Sequence, residues 1–162
     1  MSQLSNVTLH EAANIRYNPY VQHERDQAIQ DLLISAVFQP VAALKAPYAL
    51  ELSIVEDRLQ FVVCESKNAG AKETFTLSVK SLRGVIKDYF QITRSYHDLI
   101  TQAVGACRLE AVDQGRRGIH NEAATQIMEA LAGKVTLDHP TARRLFTLIC
   151  VLHIREQSHV HL

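Results

Sequence analysis

The stretch GRRGIHNE, residues 115–122, sets two adjacent arginines between glycines and follows them with a histidine, an amide and a carboxylate. Guanidinium forks match phosphate and carboxylate oxygens, and paired arginines can grip one anion through parallel hydrogen bonds. An imidazole can move a proton near neutral pH, and a neighbouring carboxylate can orient it or act as base. Arg116, Arg117 and Asn121 are therefore candidate ligand-binding residues, with His120 and Glu122 a candidate acid/base pair if the protein is an enzyme. On a continuous helix Arg116 and His120 lie one turn apart, and Gly118 bares the backbone between them. A purely structural account competes with this one: Asp113 stands one turn before Arg117 and can pair with it, and glycines permit close helix packing. Adjacent helical residues diverge by about 100°, so Asp113 serves Arg117 and leaves Arg116 in search of an acceptor. That geometry predicts a partly exposed polar site, and a stability change below about 1 kcal/mol for Arg116→Ala.

A second pair, Arg143 and Arg144, falls just inside the start of the last expected helix. Cations there oppose the helix dipole at about 0.3–1 kcal/mol each when exposed. Asp138, a distant carboxylate or a bound anion must offset that cost, and ion pairing within the fold is favoured. Convergence of both pairs on one pocket would favour an enzyme for an anionic substrate. Their separation, with an apolar patch elsewhere, would favour a binding partner. His153, with Ile149 and Cys150 behind it, reads as a buried histidine with a partner, and His159 and His161 as a tail able to hold only adventitious metal. No complete catalytic signature is present. His120-x-Glu122 matches the start of the zinc deaminase motif but lacks its P-C-x-x-C, and no phosphate-binding loop, nucleophile elbow or H-E-x-x-H occurs. Cys64, Cys107 and Cys150 are scattered with no C-x-x-C, which points to reduced thiols and to neither a zinc site nor a cofactor.

The chain of 162 residues is 47% hydrophobic and 21% charged, the composition of one soluble domain. Its formal net charge is zero, which makes a nucleic-acid partner the least favoured. Arg83, Lys87 and Arg94 nonetheless share an expected helix with Tyr89, Phe90 and Tyr96. Those aromatics fall on the apolar stripe, so core packing is favoured over stacking on bases. The N-terminus has no basic segment followed by an apolar run, and the longest apolar stretch, LFTLICVLHI (145–154), is too short to cross a bilayer. A cytoplasmic protein with no membrane partner is expected.

Positioning these residues requires several elements. NVTL (6–9) offers a short strand. Asn18 and Pro19 begin a helix whose inner face is Ala28, Ile29, Leu32, Leu33 and Ala36. YALELSIV (48–55) and RLQFVVC (58–64) read as strands joined by a turn at ED, then KNAG (67–70) as a loop and ETFTLSV (73–79) as a third strand. A helical stripe runs from Leu82 to Ala103, and a further helix from about Arg108 to Leu131, with Gly115 and Gly118 as candidate interruptions. GKVTLD (133–138) offers a short strand, and Asp138 or His139 caps a last helix that is apolar nearly all round from Leu145. Strands followed by helices without βαβ alternation predict a single α+β domain over 1–155, with 156–162 a tail. Its expected form is a small antiparallel sheet of three to five strands packed by about four helices, the C-terminal helix buried.

NP at 18–19, HER at 23–25, PY at 47–48, KDYF at 87–90, GRRGIHNE at 115–122 and TARRLFTLICVLH at 141–153 together resemble an uncharacterised family of small bacterial proteins common in alphaproteobacteria. The resemblance covers nearly the whole chain except the tail. It implies a cytoplasmic bacterial protein and carries over no catalytic or binding residue. Three functions follow, in order of preference. The first is a non-catalytic interaction or regulatory module, its partner a protein or a small anion held at Arg116 and Arg117. The second is a small enzyme whose phosphate or carboxylate substrate is bound by the arginines, with His120 as acid or base. The third is a weak nucleic-acid binder.

Overall fold

The computed structural model describes residues 2–11, 15–17, 19–102 and 105–156. Strand β1 (Leu4–Leu9) leads to helix α1 (Pro19–Ile34), whose first residue is the proline expected there; Asn18, the expected cap, lies outside the described residues. Val21, Ala28 and Leu32 form the buried face of α1, and Ala36 is buried just beyond its end. Leu33, expected on that face, is 40% exposed. A short strand β2 (Phe38–Pro40) follows, unforeseen because three residues carry no periodic signal.

The main sheet is built from β3 (Tyr48–Val55), β4 (Arg58–Glu65) and β5 (Asn68–Ser78) in an antiparallel meander. Tyr48, Leu50, Leu52 and Ile54 of β3 are buried and alternate with residues of the open face, as do Leu59, Phe61 and Val63 of β4. Glu56 and Asp57 both take positive φ, the backbone that a tight two-residue hairpin demands. β5 starts at Asn68, so Ser66 and Lys67 make the turn and most of the expected KNAG loop is strand. The strand order is β1-β3-β4-β5, with β1 parallel to β3, so the four-stranded sheet is mixed and antiparallel only in its meander. Sequence periodicity does not report strand direction. The connection between β1 and β3 runs through α1 and is long enough to allow a parallel pairing.

After a 3₁₀ turn (Val79–Leu82) comes α2 (Arg83–Thr101), then α3 (Ala106–Ala130). Helix α3 passes uninterrupted through both glycines. Gly115 lies against α2, where a Cβ would come within 2.7 Å of Ile92 Cδ1, whereas a Cβ at Gly118 would meet nothing. Strand β6 (Val135–Leu137) pairs antiparallel with β2 in a second, two-stranded sheet. Helix α4 (His139–Glu156) is capped by Asp138, whose Oδ1 accepts the Thr141 N–H at 3.0 Å. It packs on α1, α3 and β3, and every residue from Leu145 to Leu152 is buried. A helix apolar all round can have no other place. Residues 157–162, with His159 and His161, lie outside the described residues.

Candidate functional site

Helices α1, α3 and α4 converge on a cleft of about 340 Å³. Helix α1 contributes Glu24, Gln27, Ala28 and Asp31, an i, i+3, i+4, i+7 set on one face. Helix α3 contributes Arg116, Arg117 and His120, and α4 contributes Arg143, Arg144 and Thr147. The two arginine pairs, 26 residues apart in the chain, thus border one space.

Arg116 is consumed by the fold. Its Nη1 donates to Glu24 Oε1 at 2.8 Å and to the Tyr20 hydroxyl at 3.0 Å, and its Nη2 donates to Asp113 Oδ1 at 2.9 Å. The guanidinium lies over the Tyr96 ring, 5.0 Å from its centroid. One residue thereby ties α1, α2 and α3 together. The expectation of an Arg116 in search of an acceptor is therefore wrong. Asp113 serves both arginines, and the other two acceptors come from α1, some 90 residues away in the chain, where a local reading of α3 does not look. Burial and the neighbouring Glu24 hold the Tyr20 phenol well above its usual value.

Arg117 reaches Asp113 Oδ2 at 2.7 Å, as its spacing predicts, and its side chain is 70% exposed. The hydrogen bond from Arg116 leads the effects that lower the Asp113 carboxyl pKa, burial opposing them. Arg144 pairs with Asp31 of α1 at 3.3 Å. Arg143 makes no ion pair or side-chain hydrogen bond among the described residues, although its backbone carbonyl accepts from Thr147.

His120 sits between two rings, edge-on to Tyr89 (centroids 5.1 Å apart) and to Phe146 (5.7 Å). Burial, with Arg116, Arg143 and Arg144 nearby, lowers its pKa to about 4, so the ring is neutral at physiological pH. Among the described residues no carboxylate is hydrogen-bonded to its ring, although Glu24 and Asp31 line the same cleft. Glu122, its expected partner, is exposed and accepts from Gln126 at 3.4 Å, and Asn121 is exposed outside the cleft lining. Residues two apart on a helix point about 200° away from each other, which separates Glu122 from His120. The expected acid/base pair does not form. Glu24, Gln27, Asp31 and Thr147 were missed, and the only sequence signal for them was the pair of carboxylates seven residues apart on one face of α1.

The remaining candidates lie elsewhere. Arg83, Lys87 and Arg94 are exposed on α2, outside the cleft. Tyr89 is buried in the core, and Tyr96 lies under Arg116. His153 is half-buried and stacked on Phe90, with ring centroids 6.3 Å apart. Among the described residues no group of three or more His, Cys, Asp or Glu could hold a metal ion, and no helix is long and apolar enough to cross a membrane.

Residues 1–155 match the uncharacterised protein family UPF0262. The chain belongs to that family. Among its relatives is the UPF0262 protein of Mesorhizobium japonicum, 48% identical over 141 residues, which are 86% of each chain. That of Rhizobium meliloti is 46% identical over 154 residues, 94% of this chain and 95% of the relative. That of Rhodospirillum rubrum is 44% identical over 152 residues, 94% and 92% of the two chains. No solved structure matches. The resemblance of the sequence to a bacterial family thus holds along almost the whole chain, and the family assigns no catalytic or binding role.

Proposed function

We propose that the protein is a non-catalytic binding module whose cleft between α1, α3 and α4 takes a small anion through a phosphate or carboxylate group. The observation that carries this reading is the state of Arg143. Three arginines of the cleft have carboxylates, Arg116 with Glu24 and Asp113, Arg117 with Asp113, and Arg144 with Asp31. Among the described residues Arg143 borders the same space without one. An uncompensated guanidinium at the mouth of a polar cleft attracts an anion, and Arg117 and Arg144 stand where they can turn toward it. The wholly buried thiol of Cys150 accords with a cytoplasmic home.

The enzymatic reading gains from both arginine pairs meeting beside His120, and loses the Glu122 that was to activate that histidine. Binding without catalysis asks for nothing the cleft lacks. The test is thermal unfolding with increasing sulfate, phosphate or succinate, against chloride at equal ionic strength. A rise in melting temperature in the wild type that is lost in Arg143→Ala supports the reading. An identical response from both proteins, or none beyond that of chloride, overturns it.

A further inference from the structure

The charges around the cleft do not balance. Arg116, Arg117, Arg143 and Arg144 face Glu24 and Asp31 on the lining and Asp113 behind Arg116 and Arg117. Among the described residues one positive charge is left over, on Arg143. A monoanion would close the balance, whereas a dianion would leave one negative charge uncompensated inside the cleft.

His120 is the group placed to supply the missing charge. Tyr89 and Phe146 hold its ring edge-on from two sides, so it stays at the lining. Among the described residues its ring nitrogens make no hydrogen bond to protein, so either is available to a ligand oxygen. The polar groups around it are Glu24, Gln27 and Asp31 from α1, the Tyr89 phenol from α2, Arg116 and Arg117 from α3, and Arg143, Arg144 and Thr147 from α4. Burial and the guanidinium groups of the protein itself keep the imidazole neutral, its pKa near 4. An anion set among those same cations reverses the field that the ring feels. The lining contains no Phe, Tyr or Trp on which a nucleobase could stack, and the volume of about 340 Å³ suits a compact polar ligand.

Resting on the anion reading above, we propose that the cleft takes a compact dianion, such as the head of a phosphate monoester, and that His120 gains one proton as the dianion binds. The imidazolium then donates N–H to an anion oxygen, and the bound state is electrically balanced. Proton and anion favour each other reciprocally, so anion affinity rises as pH falls.

Sulfate is the probe, because it remains a dianion from pH 5.0 to 7.5, whereas phosphate itself titrates within that range. The His120→Gln variant separates the histidine's proton from that of any other group around the cleft. Calorimetry of sulfate binding at both pH values, in buffers of different ionisation enthalpy, reads affinity and proton uptake together. The expected result is an affinity at least about tenfold higher at pH 5.0 than at 7.5, which requires binding to raise the His120 pKa by about two units, with uptake approaching one proton at pH 5.0. His120→Gln should bind sulfate with no such rise. Histidine side-chain NMR of the wild type gives a second measure that needs no variant: the His120 midpoint should move up from near 4 by about two units or more in saturating sulfate. Sulfate binding that is flat with pH, with no proton uptake and an unmoved midpoint, overturns the coupling and leaves the anion reading standing. A pH dependence equal in wild type and His120→Gln assigns the proton to another group and likewise overturns it. No sulfate binding by the folded wild type at either pH overturns both.

Discussion

Arg116 and Arg143 border one cleft and differ in everything around their guanidinium groups. The first is held by two carboxylates, a phenol and an aromatic face drawn from three helices. The second has its aliphatic stem on the most buried helix of the fold and no counter-charge of its own among the described residues. Each belongs to an adjacent arginine pair that looks alike in sequence. What separates the braced arginine from the unpaired one is the presence of carboxylates on a third helix, α1, and nothing in either pair announces that.

The largest expected effect is on the brace. Arg116→Ala strands Glu24 and half of Asp113 and should cost about 2–3 kcal/mol in urea unfolding, below the ~3–5 kcal/mol typical of fully buried pairs because this one is partly open to solvent. A loss under about 1 kcal/mol, as an exposed Arg116 would give, breaks the contrast with Arg143. Next comes pH. The folded His120 pKa of about 4 lies below the usual 6.5, so the unfolded chain binds the extra proton between those values. The stability from a neutral His120 is full above about pH 6.5 and is lost as pH falls toward 4. Lowering pH from 7.5 to 5 should therefore cost about 1–2 kcal/mol, much less in His120→Gln, as melts at each pH will read.

The two glycines sharpen the comparison further. Gly118→Ala places a methyl in open space within a helix and should stabilise by about 0.5–1 kcal/mol in chemical denaturation. Gly115→Ala makes Ile92 shift and should gain less or lose. The smallest effect is reserved for Arg143→Ala, which should alter unfolding free energy by less than about 0.5 kcal/mol, as at a position with no ion pair to break. A loss comparable with that of Arg116→Ala would make both arginines structural.

Much of this was legible one element at a time. The alternation of Leu50, Leu52 and Ile54 gave the buried face of β3, Pro19 marked the start of α1, and the unbroken apolar run of α4 gave its central place. The Asp113–Arg117 pair was legible because both residues lie on one helix. What escaped needed two elements at once. Sheet direction at β1, the ribbon of β2 with β6, and the Glu24 and Asp31 partners of the arginines all depend on residues brought together only by packing. Glu122 failed as a partner for the opposite reason. Two residues close in sequence were read as neighbours where the helix turns them apart.

The parallel seating of β1 bears on how the chain reaches its native state. Leu4 aligns with Tyr48 and Leu9 with Leu52, so during synthesis β1 must wait for all of α1 and β2 before its neighbour exists. The meander of β3, β4 and β5 closes through two short turns and can assemble locally, whereas docking β1 closes a loop of roughly forty residues and carries the larger entropic cost. Until then Leu4, Val7 and Leu9, all buried in the finished domain, are without their cover. Nascent chains halted before Tyr48 would present that apolar strand to chaperones, and β1 becomes protected only as synthesis passes β3.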